Sequence, residues 1–296
     1  MLSCPHVSGR RSGVDAMVAT PQVGYMACAA ITLLSTAGAG SPATAGVDAS
    51  SVDILWGGES MRVLAGEVVV IVGRPRMGKT YLACDIARRA SLAGNRVIVC
   101  NVDPAVNDIA GRMRASAALS PEPSCALIEP ATSKANERGR LELVEDHFAT
   151  PLHVESAISA AAERLGGVEL IIIDGFGRPR LTNESKAGAT LRGGRALQDI
   201  RRVARQLGAA LVVTCHATRH AMRRAGHRPK PADIRGGKTM LSGVDRVIAV
   251  SRPAVYDEPS SDENSRVVER IAYLRSRGGW NVERVHAIAE APEPKV

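Results

Sequence analysis

The chain has 296 residues, room for one large domain or two small ones, and at 45% hydrophobic and 23% charged it has a globular composition. That excludes wholesale disorder and collagen-like repeats. A net charge of +8 with only 3% aromatic residues implies an aliphatic core, and any nucleic-acid contact resting on charge more than on base stacking.

Residues 1–60 read as a low-complexity leader, and 16–47 carry no charge at all. Gly24–Ala39 follows Arg10 and Arg11 and precedes Ala43-Thr44-Ala45, which imitates a secretory signal with a small-residue cleavage site. The stretch is weakly apolar, too short to span a bilayer and far from Met1. The expectation is a disordered leader or a short docking helix, with Met17, Met26 or Met61 as alternative starts, no membrane association and a cytoplasmic location. The six cysteines show no C-x-x-C spacing. Cys84, Cys100 and Cys215 fall in apolar segments, as reduced core thiols do.

From residue 61 to 290 a single domain is expected, with 291–296 as a tail. Short β-branched runs stand at 67–72, 96–100, 168–173, 210–215, 245–250, 267–274 and 282–289, with helical patterns at 79–93, 153–165 and 190–207. Four continuous apolar strands separated by helices predict an α/β fold: a mainly parallel central sheet with helices on both faces. Short links between the last strands predict a partly antiparallel edge. Residues 118–152, with Pro121, Pro123, Pro130 and Pro151, read as an irregular excursion.

Gly73-Arg74-Pro75-Arg76-Met77-Gly78-Lys79-Thr80 fits G-x-x-x-x-G-K-[ST], and a buried strand runs straight into it. The glycines let backbone N–H groups turn inward as an anion nest at a helix N-terminus. Lys79 is then placed for the β- and γ-phosphates of ATP and Thr80 for Mg²⁺. Gly236-Gly237-Lys238-Thr239 looks alike but has Ala232 where the first glycine belongs. Asp174 ends the run 168–173 at the strand's C-terminal edge, the place for a carboxylate of the Mg²⁺ site or for a helix cap. Asp103, closing its strand, suits a base that orients water, and equally an N-cap before Pro104. His216 suits a γ-phosphate sensor or a satisfied buried histidine.

Charge is concentrated in one quarter of the chain. Between Gly175 and Thr239 there are 12 Arg and 3 Lys against Glu184, Asp199 and Asp233, a net +12 that leaves −4 elsewhere. Such a field points to a polyanion, nucleic acid first, against the alternative of a solvated basic face.

With these residues in place, the chain resembles the RecA-like motor domain of the bacterial hexameric replicative helicases, the DnaB-like family. The phosphate loop, the run Glu169–Gly177, the segment Gly194–Arg219 and the segment Arg228–Asp257 carry the resemblance, which extends over about 60–290. It implies a RecA-like P-loop NTPase fold and an ATP-hydrolysing DNA helicase or translocase that uses Mg²⁺ and single-stranded DNA. It also implies a ring of identical subunits sharing ATP sites, and replication partners. Asp103 takes the place of the family's catalytic Glu and His216 that of its sensor Gln. Arg275 and Arg277 correspond to a basic pair inserted into the neighbouring subunit's site. Arg178, Arg180, Arg223, Arg224, Arg228, Arg235 and Lys238 are the candidate DNA contacts. The competing reading is a RecA-like ATPase that coats DNA or regulates a helicase without unwinding. A small-molecule kinase is disfavoured, because no acceptor lid is visible.

Overall fold

The computed structural model describes residues 51–56, 60–102, 108–118, 141–144, 151–176, 186–223, 227–252 and 267–289. All of them belong to one compact unit. Ten strands are described: β1 Ser51–Leu55, β2 Ser60–Leu64, β3 Val68–Gly73, β4 Val97–Asn101, β5 Leu141–Val144, β6 Leu170–Phe176, β7 Ala210–His216, β8 Arg246–Ser251, β9 Val267–Ser276 and β10 Gly279–Ala289. Five α-helices accompany them: α1 Lys79–Leu92, α2 Ile109–Ala118, α3 Pro151–Leu165, α4 Lys186–Gln206 and α5 Gly237–Leu241.

Eight strands form one sheet in the order β10-β9-β8-β3-β7-β6-β4-β5. The strands from β8 to β5 run parallel, and β9 and β10 join antiparallel at one end, so the expected architecture holds. Alternation along each strand builds two aliphatic layers. Val68, Val70 and Val72 of β3 meet Ile158 of α3, Leu197 and Ile200 of α4, and Met240 of α5. Val69 and Ile71 face the other way, onto Leu82 and Ile86 of α1 and Ile109 of α2. Each fully buried Val, Leu or Ile contributes about 1.5–3 kcal/mol, so two covered faces stabilise a sheet with almost no aromatics.

Two departures from the sequence reading are local. The domain begins earlier than residue 61: β1 pairs antiparallel with β2, from Ser51↔Leu64 to Leu55↔Ser60. Val52, Ile54, Trp56, Met61 and Val63 alternate inward onto the α1 layer, and this short period-two pattern was hidden beside the uncharged leader. The excursion at 118–152 also contains an edge strand, since Val97–Cys100 of β4 pairs with Leu141–Val144. Residues 1–50 lie outside the described residues, and no helix among the described ones is long and apolar enough to cross a membrane.

Candidate functional site

The turn from β3 into α1 forms the centre of the site. A Cβ on Gly73 would lie 2.7 Å from the Val250 carbonyl of neighbouring β8, so only glycine fits this crossing of backbones. Gly78, the N-cap of α1, sits in the left-handed region at φ 89°. Arg76 also adopts positive φ, 64°, which for a non-glycine residue stores local strain on the order of 1 kcal/mol or more. Arg74 is half-buried, Pro75 and Arg76 are exposed, and Met77 is buried in the α1 layer. The Lys79 ammonium reaches back to donate to the Arg74 carbonyl at 2.8 Å, with the side chain nearly buried. The first helical turn carries no acidic residue, so the positive end of the helix dipole is left to an anion.

Asp174 lies at the C-terminal end of β6, 2% exposed, and each carboxylate oxygen has its own donor. Thr80 Oγ1 donates to Oδ2 at 2.9 Å, and Thr214 Oγ1 donates to Oδ1 at 2.6 Å. Thr214 Oγ1 in turn accepts the Gly175 N–H at 2.7 Å. The hydroxyl therefore fixes the carboxylate and satisfies a buried amide at once. Paired hard oxygens of this kind suit Mg²⁺, which takes one or two protein oxygens and completes its shell with substrate phosphates and water. Among the described residues no group of three His, Cys, Asp or Glu side chains forms a self-sufficient metal site.

The strand β7 lies between the phosphate-loop strand and the Asp174 strand. Its last residue, His216, stands in register with Gly73, and the next amide, Ala217 N–H, donates to the Gly73 carbonyl at 3.0 Å. On its other side this strand end holds the basic loop: Arg235 N–H donates to the His216 carbonyl at 3.0 Å, and Thr218 N–H to that of Asp233 at 2.7 Å. Asp233 is itself buried, its carboxylate accepting the Lys230 N–H at 2.8 Å. One strand end thus touches both the phosphate loop and the loop bearing Arg235.

The other expected site residues divide into four groups. Arg223, Arg235 and Lys238 are exposed, as a phosphate-backbone contact requires. Arg228 is exposed but engaged: its guanidinium donates twice to Glu269, both at 2.6 Å, which also raises its pKa. Asp103, Arg178, Arg180 and Arg224 lie outside the described residues. Arg275 and Arg277 sit at the far end of β9. Leu274 pairs with Arg246 at the start of β8, whereas Val250, near its end, pairs with Gly73. The hairpin tip is therefore the length of β8 away from its own phosphate loop, roughly 17–20 Å for six residues. Arg277 is exposed in the turn, and the Arg275 guanidinium donates to carbonyls of its own chain.

Thr214 and Arg252 were missed in the sequence. Thr214 lies inside an apolar run, where Thr reads as a β-branched strand former. Arg252 follows β8, and its guanidinium lies 3.8 Å from where a Cβ on Gly78 would be, so a cation from outside the phosphate loop adjoins it. Strand order alone announces it, because β8 and β3 are neighbours. The three described cysteines are reduced and buried, and burial above all pushes each thiol up to about 12, so none is a nucleophile.

A phosphate loop on a mainly parallel sheet, with the Asp174 strand one strand removed and the His216 strand between, defines a RecA-like P-loop nucleotide-binding protein. A family model described as an AAA domain matches residues 50–222, more than half of the chain, and the chain belongs to that family. It is similar to the replicative DNA helicase DnaB of Haemophilus influenzae, 22% identical over 225 residues, covering 72% of this chain and 47% of that protein. The DnaB of Pasteurella multocida gives the same identity and coverage over 227 residues. The chain thus spans about half the length of the curated relatives it matches. Two solved structures share its fold, a DnaB-like replicative helicase studied with its primase interactions and the ATPase domain of G40P. Each has a TM-score of 0.58 at 18% identity and covers 76% of this chain, with 55% of the first chain and 81% of the second aligned.

Proposed function

We propose that the chain is an ATP-hydrolysing motor of the replicative-helicase type, moving on single-stranded DNA as a ring whose ATP sites lie between subunits. The observation that carries this reading is the end of β7. The same strand end holds the phosphate loop through Gly73 and the basic loop through Arg235. A change in the phosphates at His216 therefore has a short covalent and hydrogen-bonded route to exposed Arg235 and Lys238.

Lys79 and the α1 N-terminus bind and orient the β- and γ-phosphates, and Arg252 adds charge beside them. Thr80 and Asp174 would hold Mg²⁺, with Thr214 keeping the carboxylate aimed. Held there, Mg²⁺ would neutralise negative charge on the nucleotide's phosphates. Asp103 serves as the base that orients water. Arg277 cannot reach its own site across the length of β8, so it stabilises the transferring phosphate of an adjacent copy. Arg223, Arg235 and Lys238, with Arg178, Arg180 and Arg224, contact the DNA backbone. DNA and replication partners are supported by the relatives' names as replicative DNA helicases, one studied with primase, and by the concentration of basic charge; the ring is supported by Arg277 lying out of reach of its own site.

The test is ATP turnover with and without single-stranded DNA, for wild type and Lys79→Ala. The reading predicts turnover that DNA stimulates and that the variant lacks. Binding of both ligands with negligible turnover would assign the DNA-coating role instead.

A further inference from the structure

We propose that Arg275 is a positioning residue: it clamps the β9–β10 hairpin to the segment 234–245 and thereby ties Arg277 to His216 of its own protomer. This rests on the shared-site reading above and adds to it a link between one site and the next.

The clamp is visible at the bottom of the sheet. Arg275 Nη1 lies 3.1 Å from the Leu241 carbonyl, 2.8 Å from that of Ser242 and 3.3 Å from that of Val244, and shares its hydrogens among them. The Leu241 and Ser242 carbonyls are those of the last residue and the C-cap of α5, where a helix leaves carbonyls open to a donor. The Arg275 backbone N–H donates to the Asp245 carbonyl at 3.1 Å. Main chain and side chain of one residue thus grip the same segment.

The opposite end of that segment is held at the sensor strand. Ile234 forms a β-bridge with Ala217, and Arg235 N–H donates to the His216 carbonyl. Between the two ends the segment is pinned to the core. Met240 is 1% exposed. Arg201 donates to the Gly243 carbonyl at 3.0 Å and to Asp245 Oδ2 at 2.8 Å, and the same carboxylate oxygen accepts the Val68 N–H at 2.8 Å. A segment anchored at both ends and at Met240 passes a displacement on through its packed and hydrogen-bonded anchors. At its lower end that displacement meets Arg275, two residues before Arg277. The basic pair therefore divides its work: Arg277 is presented outward, and Arg275 sets where it points.

The experiment uses the assembled full chain and compares Arg275→Ala, Arg275→Lys, Arg277→Ala and the double alanine variant. Two quantities are read: kcat and KM for ATP, and hydrogen exchange at the amides of residues 242–245 and 275. Arg275→Ala should lower kcat about 10²-fold with KM nearly unchanged, the loss that an ångström-scale misplacement produces. Exchange at those amides should rise about 10-fold or more as the segment opens locally. Arg275→Lys, which keeps the charge and rotatable donors, should lie between, and stays informative if the alanine variant fails to fold. The double variant should be no slower than Arg277→Ala. A loss in Arg275→Ala as large as in Arg277→Ala, with unaltered exchange, would make Arg275 a direct phosphate ligand and overturn the proposal. Unaltered kcat would overturn it as well. Full turnover in Arg277→Ala removes the shared site itself, and the exchange data then report on the clamp independently.

Discussion

Replacing Thr214 by Val tests whether one buried hydroxyl holds the Asp174 carboxylate proposed for Mg²⁺. The substitution conserves volume and removes a group that donates to Asp174 Oδ1 at 2.6 Å and accepts the Gly175 N–H at 2.7 Å. Loss of the bond to a charged acceptor costs about 1.5–3 kcal/mol, and a stranded buried amide about 1–3 kcal/mol. The two share one oxygen, so a combined cost of about 2–5 kcal/mol is expected, a large part of a typical stability of about 5–15 kcal/mol. With a denaturant slope of about 3 kcal/mol/M, the urea midpoint should fall by about 1 M. Asp174, without the Thr214 hydroxyl, should lose its aim, and the Mg²⁺ concentration for half-maximal turnover should rise about 10–100-fold. Urea denaturation and Mg²⁺-titrated turnover measure the two effects. Thr214→Ser should restore both. A Thr214→Val protein with the wild-type midpoint and Mg²⁺ requirement would refute the reasoning.

Asp174→Ala should abolish turnover while leaving the protein folded, because Thr80 loses its acceptor and Mg²⁺ its carboxylate; circular dichroism and phosphate release check this. Arg235→Ala should weaken single-stranded DNA binding and flatten its salt dependence by about 0.7 per lost phosphate contact, whereas Arg228→Ala, whose charge is engaged by Glu269, should change it far less. Binding titrations at several salt concentrations separate the two. Burial tends to raise the Glu169 pKa, but hydrogen bonds and charge from Arg96 outweigh it and the net shift is downward. The pair therefore stabilises the fold above the unfolded carboxyl pKa and loses that contribution as pH falls through the folded one. Glu169→Gln should be less stable than wild type by at most about 1 kcal/mol near neutral pH and converge with it in acid. Denaturation midpoints across that range measure the convergence.

Most of the fold was legible because its signals are local. β3, β6 and β7 each open on a run of four or five aliphatic residues, and Gly73 through Thr80 is a contiguous motif that can be read without a distant partner. The position of Asp174 near a strand end was readable from the run before it, and its carboxylate accepts the Thr80 hydroxyl of the phosphate loop. What escaped depends on strand order. Thr214 looks like any β-branched residue until β7 is placed beside β6, and Arg252 looks like a loop cation until β8 is placed beside β3. The division between Arg275 and Arg277 was likewise invisible. Two arginines two residues apart suggest a shared role, but Arg275 lies near the end of β9 with its guanidinium on the carbonyls at the end of α5, whereas Arg277 is exposed in the turn that follows. The β1–β2 hairpin was lost for another reason: its five inward residues are too few to stand out beside a long uncharged stretch.

The central claim is an ATP site assembled from two copies of the chain, and complementation tests it most directly. Lys79→Ala removes the phosphate-binding amine and keeps Arg277; Arg277→Ala does the reverse. Each variant alone should turn over ATP at least about 10³-fold more slowly than wild type, as loss of an arginine finger does. Rings assembled from both should regain part of the DNA-stimulated turnover, since some boundaries then join an intact Lys79 to an intact Arg277. Verified mixed rings with no recovery, or full turnover by Arg277→Ala alone, would contradict the shared site.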